Sequence, residues 1–202
     1  MLDFACGLGQ DLRKLAYDGV NAKKLYGVDS SQGLIDAGSY LFQDRTTDLT
    51  FVTGNIWADD PLKNLPMGEK TFDIVHCSAF FHVFSFDQQI RIAKTLAGFL
   101  SENSNALIFG WTTGMMEAGE YVVGRNGEGR AYAHNVQSFQ NLWEVVREQT
   151  QTTWHVEAVL QKAPEIFNRI SNMEAWEVDV PERMFLHFSV RKGWVESTGR
   201  FE

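Results

Sequence analysis

The sequence holds only two cysteines in 202 residues, Cys6 and Cys77, so no disulfide framework braces it. Each ends an expected strand, which predicts two free thiols in a reducing compartment. The five histidines, His76, His82, His134, His155 and His187, form no H-x-x-x-H pair, and no C-x-x-C pair exists. No metal is expected. Positive charge is in deficit: the formal net charge of −8 argues against a nucleic acid partner and for a small molecule. No apolar run is long enough to span a bilayer, and the first residues have neither a charged n-region nor an apolar h-region. A membrane location is therefore not expected, and a cytoplasmic one is. Internal repeats and low-complexity tracts are missing as well.

What is present begins at the first residue. Met1-Leu2-Asp3-Phe4-Ala5-Cys6-Gly7-Leu8-Gly9-Gln10-Asp11-Leu12 reads as a short apolar strand, a glycine turn and the start of a helix. Glycine at 7 and 9 permits backbone angles closed to other residues and lets a ligand approach the main chain. The helix opening near Gln10 aims unpaired N–H groups at the same place. A dinucleotide fingerprint would require a third glycine at position 12, beside a pyrophosphate, and that position is Leu12. S-adenosylmethionine (SAM) carries no phosphate and does not need it. An NAD(P)-dependent enzyme survives only on the Gly-x-Gly turn.

The length suits one domain, with 44% hydrophobic and 13% aromatic residues. Leu12, Leu15 and Ala16 follow helical spacing up to Gly19. Lys24 to Asp29 reads as a second strand ending in an acid, placed to accept hydrogen bonds from both hydroxyls of a ribose. The alternative for Asp29, with Ser30 and Ser31, is the cap of the next helix, Gln32 to Phe42. Phe51 to Trp57 is a third strand with its exit loop, and Thr71 to Ser78 a fourth, apolar enough for a central parallel position. Phe80, Phe81 and Phe84 then form either a substrate wall or core. His82 is either a polar group at a pocket or a helix cap. Asp87 opens a helix to about Leu100, and Ala106 to Trp111 is a fifth strand. This β-α-β-α-β-β-α-β order predicts a parallel sheet wrapped by helices.

The segment from Thr112 to Asn135 fits no period and mixes glycines with Met115, Met116, Tyr121 and Tyr132. It reads as a lid over an apolar substrate or as a plain surface loop. Ser138 opens a helix with Phe139, Leu142, Trp143 and Val146 on one face. Trp154 to Leu160 and Met184 to Val190 alternate as strands, with a further helix between Ala163 and Met173. The residues from Glu196 onward are expected to fray.

With these pieces placed, the sequence resembles a group of fungal small-molecule methyltransferases, the meroterpenoid enzymes that form a methyl ester on a farnesylated dimethylorsellinic acid, and their polyketide-pathway relatives. The resemblance rests on DFACGLGQDLRKLAYDGV at 3 to 20, LYGVDSSQGLIDAGSYLFQD at 25 to 44, DIVHCSAFFHVFSFDQQ at 73 to 89, and AHNVQSFQNLWEVVREQT with WHVEA at 133 to 158. It implies a Rossmann-like class I methyltransferase fold over residues 1–202. The sheet would be mostly parallel and doubly wound, with an antiparallel C-terminal edge and with 112–135 as lid or insert.

The implied cofactor is SAM. Asp3 would anchor the turn and the cationic amino acid end, with Ala5, Gly7, Gly9 and Asp11 around it. Asp29 and Ser30 would hold the ribose, Asn55 and Ile56 would meet the adenine where an aspartate is common in the group, and Cys77 would line the floor. The implied reaction is O-methylation, most naturally of a carboxylate, which is ionised at neutral pH and needs no base. If a base acts, it is His82 or His134. Members of the group are longer at the N-terminus, so this chain is expected to be short there. That leaves a second reading, a truncated non-catalytic relative that binds SAM weakly or serves as a partner subunit. The homodimer that the resemblance implies would pair through N-terminal elements that this chain is expected to lack.

Overall fold

The computed structural model describes residues 1–43, 48–66, 70–123, 129–163 and 184–193. The chain opens with β1 (Leu2–Phe4), α1 (Gln10–Tyr17), β2 (Tyr26–Asp29), α2 (Gln32–Phe42) and β3 (Thr50–Thr53). It continues through β4 (Ile74–His76), α3 (Phe86–Gly98) and β5 (Leu107–Gly114), then β6 (Gly119–Val123) and β7 (Gly129–Ala133). The last elements are α4 (Val136–Thr150), β8 (Trp154–Lys162) and β9 (Met184–Lys192).

Seven strands form one sheet in the order β3-β2-β1-β4-β5-β9-β8. The first five are parallel, and β9 lies antiparallel to both β5 and β8. The chain thus winds outward from β1 to β3, then crosses back to lay β4 on the other side of β1. That reversal opens a crevice above the carboxyl ends of β1 and β4, where open α/β sheets bind ligands.

The apolar strand residues account for the core. Leu2, Val28, Val75 and Ile108 from four neighbouring strands are all fully buried, as expected where helices cover both faces of a parallel sheet. From α3, Ile92, Ala93 and Leu96 meet this layer, and α4 adds Phe139, Leu142, Trp143 and Val146. Trp143 packs at a tilt against Trp154 of β8 with ring centroids 5.3 Å apart, tying α4 to the antiparallel edge.

Three expectations change. The cap of α3 is Ser85, not Asp87: its hydroxyl accepts from the Gln88 N–H while the Gln88 side chain accepts from the Ser85 N–H, a reciprocal box that an acid two residues later cannot make. The cap of α4 is Asn135, with Ser138 one turn inside the helix. The segment 112–135 is no structureless loop: β5 runs on to Gly114, and β6 and β7 pair antiparallel as a separate ribbon. Its strands are five residues long and bounded by glycine, too short for alternation to stand out from the sequence. The helix expected from Ala163 to Met173, beyond Ala163 itself, and the frayed end lie outside the described residues.

Candidate active site

The crevice holds a cleft of about 670 Å³, inside the about 300–1,000 Å³ range of small-molecule sites. Its floor is the turn after β1. Ala5, Gly7 and Gly9 all adopt left-handed backbone angles, with φ of 62°, 56° and 69°. The alternation folds the chain tightly enough for Gly9 N–H to donate back to the Cys6 carbonyl at 2.8 Å. At Gly7 a Cβ would meet no protein atom, so the open space there belongs to the cleft. At Gly9 a Cβ would strike the Phe51 ring, and Gly9 does not line the cleft. Gly9 therefore shapes the turn from behind and starts α1 as its cap residue. A Cβ on Gly38 would collide with the Leu8 carbonyl, so α2 is packed directly on the turn's backbone.

Ala5 is the odd member, because an L-residue with a Cβ is strained at φ 62°. Ala5→Gly is expected to raise stability by about 0.5–1 kcal/mol, the relief of left-handed strain less the added freedom of the unfolded chain. Urea denaturation measures this, and an unchanged or lower midpoint would refute it.

Asp29, at the tip of β2, is nearly buried and bonds through both oxygens. Oδ2 accepts from the Gly7 N–H at 2.9 Å and Oδ1 from the Ser31 N–H at 2.8 Å. Ser31, not Asp29, caps α2, since its hydroxyl accepts from the Leu34 N–H. Asp29 is thus free of the capping role and joins the glycine turn to the start of α2 within the cleft. Ser30, Asn55 and Ile56 line the same side. The Asn55 side-chain oxygen accepts from the Trp57 N–H at 3.0 Å, which fixes the amide at the cleft edge.

At the other end stands Asp3, 2% exposed. Its Oδ1 lies 2.7 Å from Nδ1 of His76, and the Ser78 hydroxyl lies 2.7 Å from Nε2 of the same ring. Asp3 Oδ2 is buried with no hydrogen-bond partner among the described residues. Burial raises the Asp3 pKa, which His76 partly offsets. Burial also works to lower the pKa of His76, but the hydrogen bond and charge of Asp3 outweigh it and hold the imidazole above its ordinary value. An oxygen of Asp3, an oxygen of Asp11 and a ring nitrogen of His76 lie within 4.8 Å of one another. An unpaired buried carboxylate oxygen with a second carboxylate nearby suits the ammonium of an amino acid.

Aromatic side chains close the remaining wall. Phe80 meets Phe4 and Phe84 edge-on at 5.9 and 4.9 Å, Phe84 meets Trp57 at 5.5 Å, and Trp111 stacks on Phe185 at 4.5 Å. Phe80, Phe84, Trp57 and Trp111 all line the cleft.

Besides Gly9, three anticipated residues do not line it. Cys77 is fully buried, because strand alternation turns it away from the side occupied by His76 and Ser78. His82 sits in a short 3-10 turn, where its N–H donates to Thr112 Oγ1 at 3.0 Å and its carbonyl accepts from the Tyr121 hydroxyl. His134 is 1% exposed between Gln89 and Ser138, with 2.8 Å contacts to each. Burial lowers the His134 pKa to about 4, the Ser138 backbone only partly opposing it, so the ring is neutral at pH 7 and shut away from any acceptor. In their place the cleft contains His76 and Ser78, which the sequence reading assigned only to a strand. The in-register pairing of Asp3 with His76 across β1 and β4 brings them there.

Strand order, glycine turn, acid-tipped β2 and crevice together define the class I SAM-dependent methyltransferase fold. A family model described as a methyltransferase domain matches residues 1–103, and the chain belongs to that family. It is similar to the O-methyltransferase phiE of Fungal sp. (strain ATCC 74256), at 38% identity over 157 residues, 77% of this chain and 51% of that protein. It is similar to the methyltransferase adrK of Penicillium rubens, at 33% identity over 153 residues, covering 74% and 54%. The chain spans about half the length of these curated relatives. A solved S-adenosylmethionine-dependent methyltransferase from Clostridium acetobutylicum ATCC 824 shares the fold with a TM-score of 0.57 at 14% identity, over 96% of this chain and 83% of that one.

Proposed function

We propose that this chain is a SAM-dependent O-methyltransferase domain acting on a small apolar secondary metabolite, with a carboxylate as the acceptor. The observation that carries the reading is the cleft itself: an unpaired buried Asp3 oxygen at one end, Asp29 at the other and an aromatic wall beside them. Asp3 and Asp11 receive the cofactor's ammonium, Asp29 the ribose hydroxyls, and Asn55 and Ile56 the adenine. When bound, SAM supplies an electrophilic methyl group, whose transfer forms an O–C bond, breaks an S–C bond and leaves S-adenosylhomocysteine. A carboxylate acceptor is already ionised, with a pKa of about 4, so the chain need not remove a proton. This agrees with a cleft whose one imidazole, His76, is engaged on both nitrogens.

Residues 1–202 are read as one domain, in which 112–135 covers the acceptor. The Tyr132 N–H donates to the Phe84 carbonyl at 2.9 Å, which holds the β6–β7 ribbon against the aromatic wall. The name of phiE, an O-methyltransferase, supports an oxygen acceptor. The acidic balance supports a small-molecule partner over nucleic acid, and a cytoplasmic location and a homodimer complete the reading. No described helix is long and apolar enough to cross a membrane.

The test is to incubate the protein with SAM and a panel of aromatic carboxylic acids and phenols, and to follow S-adenosylhomocysteine and methylated product by mass spectrometry. Methyl esters from the acids are expected. Methyl ethers alone would move the acceptor to a phenol, and SAM binding without product would favour the non-catalytic reading.

A further inference from the structure

The line Asp3–His76–Ser78 is left over once the cofactor contacts are assigned. An acid at position 3 is enough to meet an ammonium; nothing in that role calls for a buried imidazole clamped between it and a serine. Three observations give His76 a task. Its Nδ1 lies 2.7 Å from Asp3 Oδ1, while Oδ2, the other oxygen of the same carboxylate, is left without a partner. Its Nε2 lies 2.7 Å from the Ser78 hydroxyl, and Ser78 Oγ in turn accepts from the Trp111 N–H at 3.3 Å. The ring is packed on Phe109 of β5, 4.9 Å between centroids, which fixes its plane.

We infer that His76 is a positioning residue for SAM: held by Ser78 and Phe109, it pins one oxygen of Asp3 so that the other faces the cofactor's cationic end, and it does so in its neutral form. The inference rests on the cofactor reading above. Neutral His76 carries its proton on Nδ1, donates to Asp3 and accepts from the Ser78 hydroxyl, leaving Asp3 with a full negative charge. Protonated His76 makes the same contact with Asp3 but cancels that charge and adds a cation to the wall of the cleft that would receive the cofactor's cationic end. Binding SAM and protonating His76 are therefore antagonistic, and by linkage the antagonism is reciprocal.

Among the described residues, the charged groups around the ring are few. Asp3 from β1 and Asp11 from α1 both favour the imidazolium, and Asp29 from β2 reaches it only through Asp3. The Cys6 and Cys77 thiols stay protonated because burial pushes both pKa values up. Phe109 from β5 is uncharged. With the imidazole held above its ordinary value, protonation of the ring competes with the cofactor at neutral pH as well as below it.

The experiment is calorimetric titration of SAM into the native protein, His76→Asn and His76→Leu, from about pH 5.5 to about pH 7.5, a range in which the cofactor's own amino group, with a pKa of about 8, stays an ammonium, with thermal unfolding run beside each. Asparagine places an amide N–H near the former Nδ1 and does not titrate; leucine fills the space and donates nothing. Native affinity is expected to rise on the order of tenfold across the range, one pKa unit of linkage. His76→Asn should bind at close to the native high-pH level throughout, and His76→Leu weakly throughout. A native-like pH slope in His76→Asn, or native affinity in His76→Leu, overturns the role of His76 while leaving the cofactor reading intact. A folded native protein that binds no SAM at any pH overturns both. Because His76→Leu is liable to unfold, the His76 ring protons of the native protein are also to be titrated by NMR, assigned by their loss in His76→Asn. Added SAM must shift that titration to lower pH, and an unmoved or upward shift refutes the inference.

Discussion

Asp29→Ala is expected to lower SAM affinity by at least about 100-fold. The carboxylate is 8% exposed and accepts from two backbone N–H groups, Gly7 in the turn and Ser31 at the head of α2. Hydrogen bonds to a charged group contribute about 1.5–3 kcal/mol each. Removing both leaves two donors near the surface of a site that must hold its shape, besides deleting the acceptor proposed for the ribose. Part of the loss will appear as stability, on the order of 2–4 kcal/mol, so affinity has to be measured on the folded fraction. Asp29→Asn separates the two contributions. It keeps one acceptor oxygen but turns an NH2 toward one of the two N–H groups, so its loss should fall between the native protein and alanine. Calorimetric titration with urea denaturation alongside decides the matter: affinity within roughly threefold of native in a folded Asp29→Ala would place the ribose grip elsewhere.

The same pair of contacts shows what could be read in advance. Asp29 was legible because the feature is local: an acid ends an apolar strand shortly after a glycine turn, and chain order alone places it. The turn, the parallel strands and the apolar faces of α3 and α4 were legible for the same reason, each being a short period or a fixed spacing. His76 and Ser78 were not. Their meaning depends on β4 lying beside β1, with Asp3 opposite His76, and those residues are 73 apart in the chain. The clue lies in topology: an order that returns to the far side of the first strand sets the ends of strands one and four side by side, which makes a pair of the polar residues at those ends. Cys77 and Gly9 failed for a different reason. Both sit in the right stretch, but strand alternation turns the Cys77 side chain to the opposite face, and the Gly9 Cβ direction points at Phe51. Proximity in sequence does not tell which way a side chain faces.

His134 shows the opposite error, a polar residue near the site assigned to chemistry when its environment makes it structural. Both side-chain N–H bonds of Gln89 are spent on the carbonyls of Phe84 and Tyr132, at 2.9 and 2.8 Å. Its Oε1 is left to accept, so His134 Nε2 must carry the proton and Nδ1 must accept from Ser138. One neutral ring thereby joins α3, the β6–β7 ribbon and the start of α4.

A titration signature follows. Because burial holds the folded-state pKa at about 4, against about 6.5 in an unfolded chain, the unfolded state binds a proton between those values that the native state refuses. Stability must then rise with pH across that interval, fully present above the unfolded value and lost on acidification, by about 3 kcal/mol at the lower end. Asp3 and His76, whose pKa values are raised on folding, work in the other direction and belong to the background. The informative quantity is therefore the difference between the native protein and His134→Gln, a variant that can still donate to Gln89 but cannot titrate. His134→Gln should be less stable at neutral pH by about 1–2 kcal/mol, from the lost Ser138 contact and imperfect packing. The gap should close or reverse as the pH falls toward the folded-state value. Urea denaturation at a series of pH values measures both curves. Parallel curves would mean that His134 gains a proton without penalty in the folded state, and that the Gln89–His134–Ser138 network does not exclude the charged ring.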